Sequence, residues 1–220
     1  MCGRFVNINE KKKIQKIFNA KDLAISNNKS FNVAPGRNID VIFIDGGDYF
    51  IDSFYWGYSF IDTKSNVLQN VINSRLETIN TKLLFKDSYL RRKCIILANG
   101  YYEWKNVENN KKPYFISLPV NELICFAGIW RNEIKKGNKL KVCNIITKSA
   151  NSKLSFIHNR MPFILSIPDS IKYLNDTTNT FSFSSRESNI EEDLDYYEIS
   201  KHVNNPSNDS KECINPIKLN

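Results

Sequence analysis

Residues 39–57 read IDVIFIDGGDYFIDSFYWG. Apolar and polar residues alternate on both sides of a Gly46-Gly47-Asp48 centre, which is the period-2 pattern of two half-buried strands joined by a tight turn. This stretch predicts a β-hairpin. Beyond it, CIILANGYYEW (94–104), PYFISL (113–118), LICFAGIW (123–130) and KVCNIIT (141–147) are rich in β-branched and aromatic residues and are separated by polar turns. They predict consecutive strands of a mainly antiparallel sheet or barrel. MCGRFVNI (1–8) adds a short β-segment at the start, and YYEISKHV (196–203) a last strand.

Helices are expected around this sheet. In NEKKKIQKIF (9–18) residues Ile14, Ile17 and Phe18 share one face at helical spacing, and NTKLLFKDSYLRRK (80–93) has a polar start and a basic last turn. Shorter helices are expected in SANSKLSFI (149–157) and PDSIKYL (168–174). Residues 171–195, dominated by the Ser/Thr/Asn-rich NDTTNTFSFSSRESNIEED, are expected to form a surface excursion. With no internal repeat and no linker, the expectation is α+β in a single domain over residues 2–220.

Composition narrows the function. The chain has 220 residues, 41% of them hydrophobic and 25% charged, which is the profile of a folded globular protein. A net charge of +8 favours a polyanionic partner. Five cysteines, Cys2, Cys94, Cys125, Cys143 and Cys213, make an odd count with no C-x-x-C pair, against a disulfide framework or a zinc site. Cys94, Cys125 and Cys143 lie in apolar runs, where a thiol behaves as a small buried hydrophobe. No apolar run approaches the ~20 residues of a membrane span. A soluble, cytoplasmic monomer without metal or cofactor is expected.

Several short stretches carry reactive groups. Cys2 becomes the N-terminal residue if Met1 is removed. Glu103 ends an apolar strand among aromatics, where burial disfavours a charged carboxylate and suits proton transfer; a strand-end Glu facing water is the commoner case. His158 in FIHNRMP is one of two histidines and is followed by Arg160, Met161 and Pro162; His202 lies in the last expected strand. Asn73 and Arg75 in INSRLET point to one side if that segment is extended. FNVAPGR (31–37) supplies a Pro-Gly turn with Arg37.

Together, MCGRF, FNVAPG, WGYS, INSRLET, RRKCIILANGYYEWK, KPYFI, FAGIW, IITKSAN, IHNRMPFIL and VNNP resemble, in order, the SOS-response-associated peptidase (SRAP) family, whose members shield abasic sites in single-stranded DNA by covalent attachment. The chain departs from the family pattern at Ser74, usually Ala, at Asn159, usually Asp, and at Gly36-Arg37 after the Pro. The resemblance implies that Cys2, Asn73, Glu103 and His158 are catalytic and that abasic single-stranded DNA is the partner. It further implies DNA contacts at Arg4, Asn32, Pro35, Trp56, Arg75, Trp104, Thr147, Arg160, Met161 and Pro162. For Trp56 a core position is the strong alternative. Lyase and autoproteolytic activities accompany this reading. Competing readings are an amidotransferase or cysteine peptidase using the same N-terminal cysteine, and a non-covalent single-strand binder.

Overall fold

A computed structural model of the protein describes residues 2–23, 29–62, 64–108, 110–135, 137–179, 181 and 189–217. The chain begins with β1 (Phe5–Asn7), α1 (Lys11–Phe18), β2 (Lys21–Asp22), β3 (Ser30–Val33), β4 (Asn38–Asp45), β5 (Asp48–Trp56), β6 (Tyr58–Ile61) and β7 (Leu68–Val71). It continues through β8 (Asn73–Arg75), α2 (Leu83–Arg91), β9 (Lys93–Ala98), β10 (Gly100–Val107), β11 (Asn110–Ser117), β12 (Ile124–Lys135) and β13 (Asn138–Ser149). Last come β14 (Arg160–Pro162), β15 (Ile164–Leu165), α3 (Ile167–Asn175) and β16 (Asp195–Glu198).

The hairpin forms as its alternation demands. β4 and β5 pair from Asn38–Tyr55 to Asp45–Asp48, and Gly46 and Gly47 take φ of 58° and 89°, a left-handed pair that glycine adopts without steric cost. This hairpin then closes a barrel. The order β13-β12-β9-β4-β5 is antiparallel throughout, and β5 returns to pair in parallel with β13 through Val142–Tyr55 and Cys143–Trp56. Alternate residues split between two cores. Val41, Phe43, Phe54, Trp56, Cys94, Ile96 and Cys143 belong to one cluster, which also takes in Cys2, Phe5, Tyr101 and Ile116 from a second sheet. Ile42, Ile51, Ile95, Leu97 and Val142 belong to the other, with Ile14 and Phe18 of α1, Phe85 of α2 and Tyr173 of α3.

The second sheet has the order β16-β11-β10-β1-β3. Its other face packs Val6, Tyr102 and Phe115 against Val203, Cys213 and Ile214 of the C-terminal segment. The architecture is therefore α+β, mostly antiparallel, in one domain, as the sequence patterns predict.

Four local expectations are corrected. CIILANGYYEW is not one strand: it leaves the barrel at Asn99 and continues as β10 in the other sheet, so β10 pairs with β11 and β12 with β13 as expected, but β11 and β12 lie in different sheets. SANSKLSFI forms turns instead of a helix: Leu154 and Ser155 N–H bond back to Asn151, and the chain passes into β14 at Arg160 before the turns extend into a helix. YYEISKHV is strand only to Glu198, and His202 sits in a 3-10 turn over Lys201–Asn204. The 171–195 excursion is too broad, because Tyr173, Leu174 and Leu194 are buried; residues 180 and 182–188 of it lie outside the described residues. Among the described residues, no helix is long and apolar enough to cross a membrane.

Candidate active site

The N-terminal strand is seated by its neighbour. β1 runs antiparallel to β10, with Phe5 opposite Tyr101 and Val6 opposite Gly100, and Tyr102 N–H donates to the Arg4 carbonyl at 2.9 Å. Cys2 lies just ahead of this ladder, close enough to Glu103 of β10 for the carboxylate to act on its thiol. Both are withdrawn from solvent, with Cys2 at 0% and Glu103 at 3% exposure. Burial pushes the Cys2 thiol well above the ordinary thiol range, the Glu103 carboxylate adds to the effect, and a backbone hydrogen bond at Arg4 opposes it.

Asn73 approaches from the barrel. β8 lies parallel to β13 with Asn73 opposite Ile145, and Asn73 Nδ2 donates to the Cys2 carbonyl oxygen at 2.9 Å. Its Oδ1 is buried and accepts no hydrogen bond among the described residues. An amide carbonyl in that position is open to a donor that the chain itself does not supply. β8 is extended, as the same-side reading of Asn73 and Arg75 requires; Asn73 is buried and Arg75 exposed.

His158 ends the turns after β13. Its Nδ1 accepts from Arg160 N–H at 2.9 Å, so the neutral imidazole carries its proton on Nε2. A cleft of about 390 Å³ is lined by Glu103, Trp104, Asn106, Lys111, His158 and Asn204. Trp104 is half-buried, and its Nε1 donates to Asn204 Oδ1 at 2.8 Å, which fixes the indole at the rim. A second cleft, of about 540 Å³, shares His158 and is lined by Arg75, Ser149, Asn159 and Arg160. Arg160 holds Glu77 through both guanidinium branches, at 2.5 and 3.0 Å, and donates to the Thr147 carbonyl at 2.6 Å. That bond holds the Glu77 carboxyl below the usual carboxylate range.

The expected residues divide accordingly. Asn73 and Glu103 neighbour Cys2, and Glu103 and His158 share a cleft, with Trp104 and Arg75 on the adjoining surfaces. Five of the expected DNA contacts have buried side chains. Trp56 is at 0% exposure and donates from Nε1 to the Ile72 carbonyl; Thr147 is at 0% and donates to the Ser74 carbonyl. Met161 and Pro162 are buried in β14. Asn32, also at 0%, ties the C-terminal segment down: its Nδ2 faces the carbonyls of Val203, Asn205 and Asn208, and its Oδ1 accepts from Arg4. Arg4 also donates to the Val203 carbonyl, and Pro35 is exposed at the turn after β3. Sequence reading missed Asn106, Lys111 and Asn204 as cleft residues. Asn204 stands in the VNNP stretch, which carried the only available signal; the others are ordinary polar residues until the strands are paired.

The family model for SOS response associated peptidase (SRAP) matches residues 1–206. The chain belongs to the SRAP family. Among its relatives, the abasic site processing protein YoqW of Bacillus subtilis is 34% identical, over 97% of this chain and 99% of YoqW. The abasic site processing protein HMCES of Gallus gallus is 32% identical, over 72% of this chain and 54% of HMCES. The crystal structure of a protein from Bacteroides thetaiotaomicron superposes with a TM-score of 0.78 at 21% identity, over 99% of this chain and 100% of that one. At that identity the likeness speaks to the fold alone.

Proposed function

We propose that this SRAP protein processes abasic sites in single-stranded DNA by forming a covalent thiazolidine through Cys2 after Met1 is removed. The observation that carries the reading is a chain of neighbours drawn from four separate segments: Asn73 bonds the Cys2 carbonyl, the Glu103 carboxylate acts on the buried Cys2 thiol, and Glu103 and His158 line one cleft. The names of the relatives support the substrate class.

The chemistry follows from one residue bearing two nucleophiles. Removal of Met1 turns the Cys2 nitrogen into an α-amine, whose pKa near 8 leaves a reactive fraction unprotonated at neutral pH. The ring-opened sugar presents an aldehyde at C1. The amine adds to it, giving a carbinolamine, and loss of water gives an imine. The thiol sulfur then adds to the same carbon while its proton passes to nitrogen, closing a five-membered ring. Because amine and thiol share one residue, closure has an effective molarity of order 10⁵ M or more.

The neighbours have separate tasks. Glu103 donates the proton that lets the carbinolamine hydroxyl leave as water, takes the nitrogen's proton as the imine forms, and relays the thiol proton to nitrogen on closure. His158, with its Nε2 proton, donates to the opened sugar's hydroxyl. Asn73 holds the Cys2 carbonyl and offers its unpartnered Oδ1 to the new amine. Arg75, Arg160 and Arg4 meet phosphates beside the lesion, and Trp104 stacks on a base. The imine also acidifies the adjacent sugar proton, so strand cleavage competes with ring closure.

A uracil-containing oligonucleotide treated with uracil glycosylase tests the reading. Wild-type protein should give a band that survives a denaturing gel, absent with undamaged DNA and absent with Cys2→Ala. A non-covalent binder would give no such band on any DNA. Full reactivity of Cys2→Ala would overturn the assignment.

A further inference from the structure

The register of the second sheet places more than Glu103 on one face. Glu103 of β10 stands opposite Tyr114 of β11, which stands opposite Glu198 of β16; Lys105 stands opposite Lys112, and Tyr101 opposite Ile116 and then Tyr196. Directly opposed residues share a face. The same face therefore carries Glu103, Lys105, Lys112, Tyr114 and Tyr196.

The turn that delivers His158 adds Phe156 to this face. Its ring lies 5.1 Å from that of Tyr196 and 6.0 Å from that of Tyr114, and Lys105 Nζ sits 4.9 Å above it. Phe156 is 41% exposed and Tyr196 38%, high for large rings already in contact with one another. A groove of about 390 Å³ runs between them and the lesion cleft, lined by Trp104, Lys105, Asn106, Ser155, Phe156 and His158 among others. It shares Trp104, Asn106 and His158 with the cleft that holds Glu103. Two carboxylates of β16 are already paired, Glu198 with Lys112 at 3.4 Å and Asp195 with Lys153 at 3.8 Å. Lys105 instead lies over a ring beside the groove.

We propose that Phe156 and Tyr196, with Lys105, form a stacking platform for the bases flanking the lesion on one side of the single strand. The placement of the lesion rests on the abasic-DNA reading above. Exposed rings beside a cation are the chemistry that holds unpaired bases without reading their sequence, since every base presents a π-face and every linkage a phosphate. A strand anchored at Cys2 with its abasic sugar in the Glu103–His158 cleft leads along the groove past Trp104 onto Phe156. Only one of its two directions does so.

Two measurements decide the matter. Fluorescence anisotropy with an undamaged single-stranded oligonucleotide should show Phe156→Ala weakening binding roughly tenfold, Tyr196→Ala weakening it less, and Phe156→Trp retaining it. Crosslinking at limiting protein should then use two oligonucleotides, one with nucleotides only 5′ of the abasic site and one with nucleotides only 3′. Phe156→Ala should slow one and leave the other at the wild-type rate. Unchanged affinity in both alanine variants, or equal slowing on both oligonucleotides, would overturn the platform while wild-type crosslinking left the lesion chemistry standing. Wild-type protein that bound DNA and never crosslinked would overturn that chemistry instead, and the anisotropy comparison would still decide the platform. Circular dichroism of each variant separates lost contact from lost fold.

Discussion

At the scale of single residues, the account turns on a thiol that is buried and an amine that is not yet made. Burial and the adjacent Glu103 push the Cys2 thiol up, so it stays as S–H through neutral pH and beyond the ordinary thiol range. The amine therefore attacks first, and the sulfur follows once Glu103 can take its proton. Two outcomes follow. Iodoacetamide should alkylate Cys2 at pH 8 at least about tenfold more slowly than it alkylates an exposed thiol, since the thiolate fraction falls about tenfold per unit of upward shift. Crosslinking should quicken as pH rises from 6 to 8, following loss of the α-amine proton, and a pH–rate profile checks this. Replacing Glu103 by Gln should slow crosslinking by about 10²-fold, the scale of a lost general acid–base, while anisotropy shows single-strand affinity nearly unchanged. These residues were legible as types in the sequence. What was not legible was exposure: Trp56 and Thr147 stand beside motif residues and read as DNA contacts, yet barrel closure through Cys143–Trp56 and the parallel pairing of β8 with β13 put both inside.

At the scale of elements, the site depends on a change of sheet between β9 and β10. Gly100 marks it. A Cβ there would fall within the Phe115 ring and 2.9 Å from the Ile116 carbonyl oxygen, so the strand can lie against β11 only with glycine at this position. Gly100→Ala should destabilise the protein by about 1–3 kcal/mol, read from the urea midpoint, because the overlap is with a buried ring and with backbone. It should also slow crosslinking, since Glu103 lies three residues on. The strand character of CIILANGYYEW was plain from its composition, but the break was not: both halves are apolar and β-rich, and only tertiary pairing tells one long strand from two. The turns of residues 151–158 were misread for a related reason. Their Leu154 and Ile157 spacing and the Asn151 cap both suit a helix, but the chain is drawn into β14 at Arg160 after no more than isolated turns.

At the scale of the whole molecule, the C-terminal segment works as a clasp across the N-terminal sheet. Asn32 gathers three of its carbonyls, Arg4 binds one of them, Arg37 reaches Asp209 at 3.8 Å, and Asn204 pins Trp104. Asn32→Ala should lower stability by about 1–3 kcal/mol, measured by denaturant titration, because buried carbonyls lose their donors. It should weaken DNA binding as well, by freeing the 203–208 stretch that carries Asn204. The α+β class and the hairpin were readable from alternation alone, whereas the clasp joins residues some 170 positions apart and left no periodic trace. All of this geometry serves one claim, that an N-terminal cysteine traps the carbonyl of a base-less sugar. The most direct measurement is mass spectrometry of protein purified from cells, before and after reaction with abasic DNA and nuclease digestion. The account predicts a chain that starts at Cys2 and a sugar-phosphate adduct mapped to that residue through both nitrogen and sulfur; retention of Met1 on the reactive protein, or an adduct mapped to any other side chain, would contradict it.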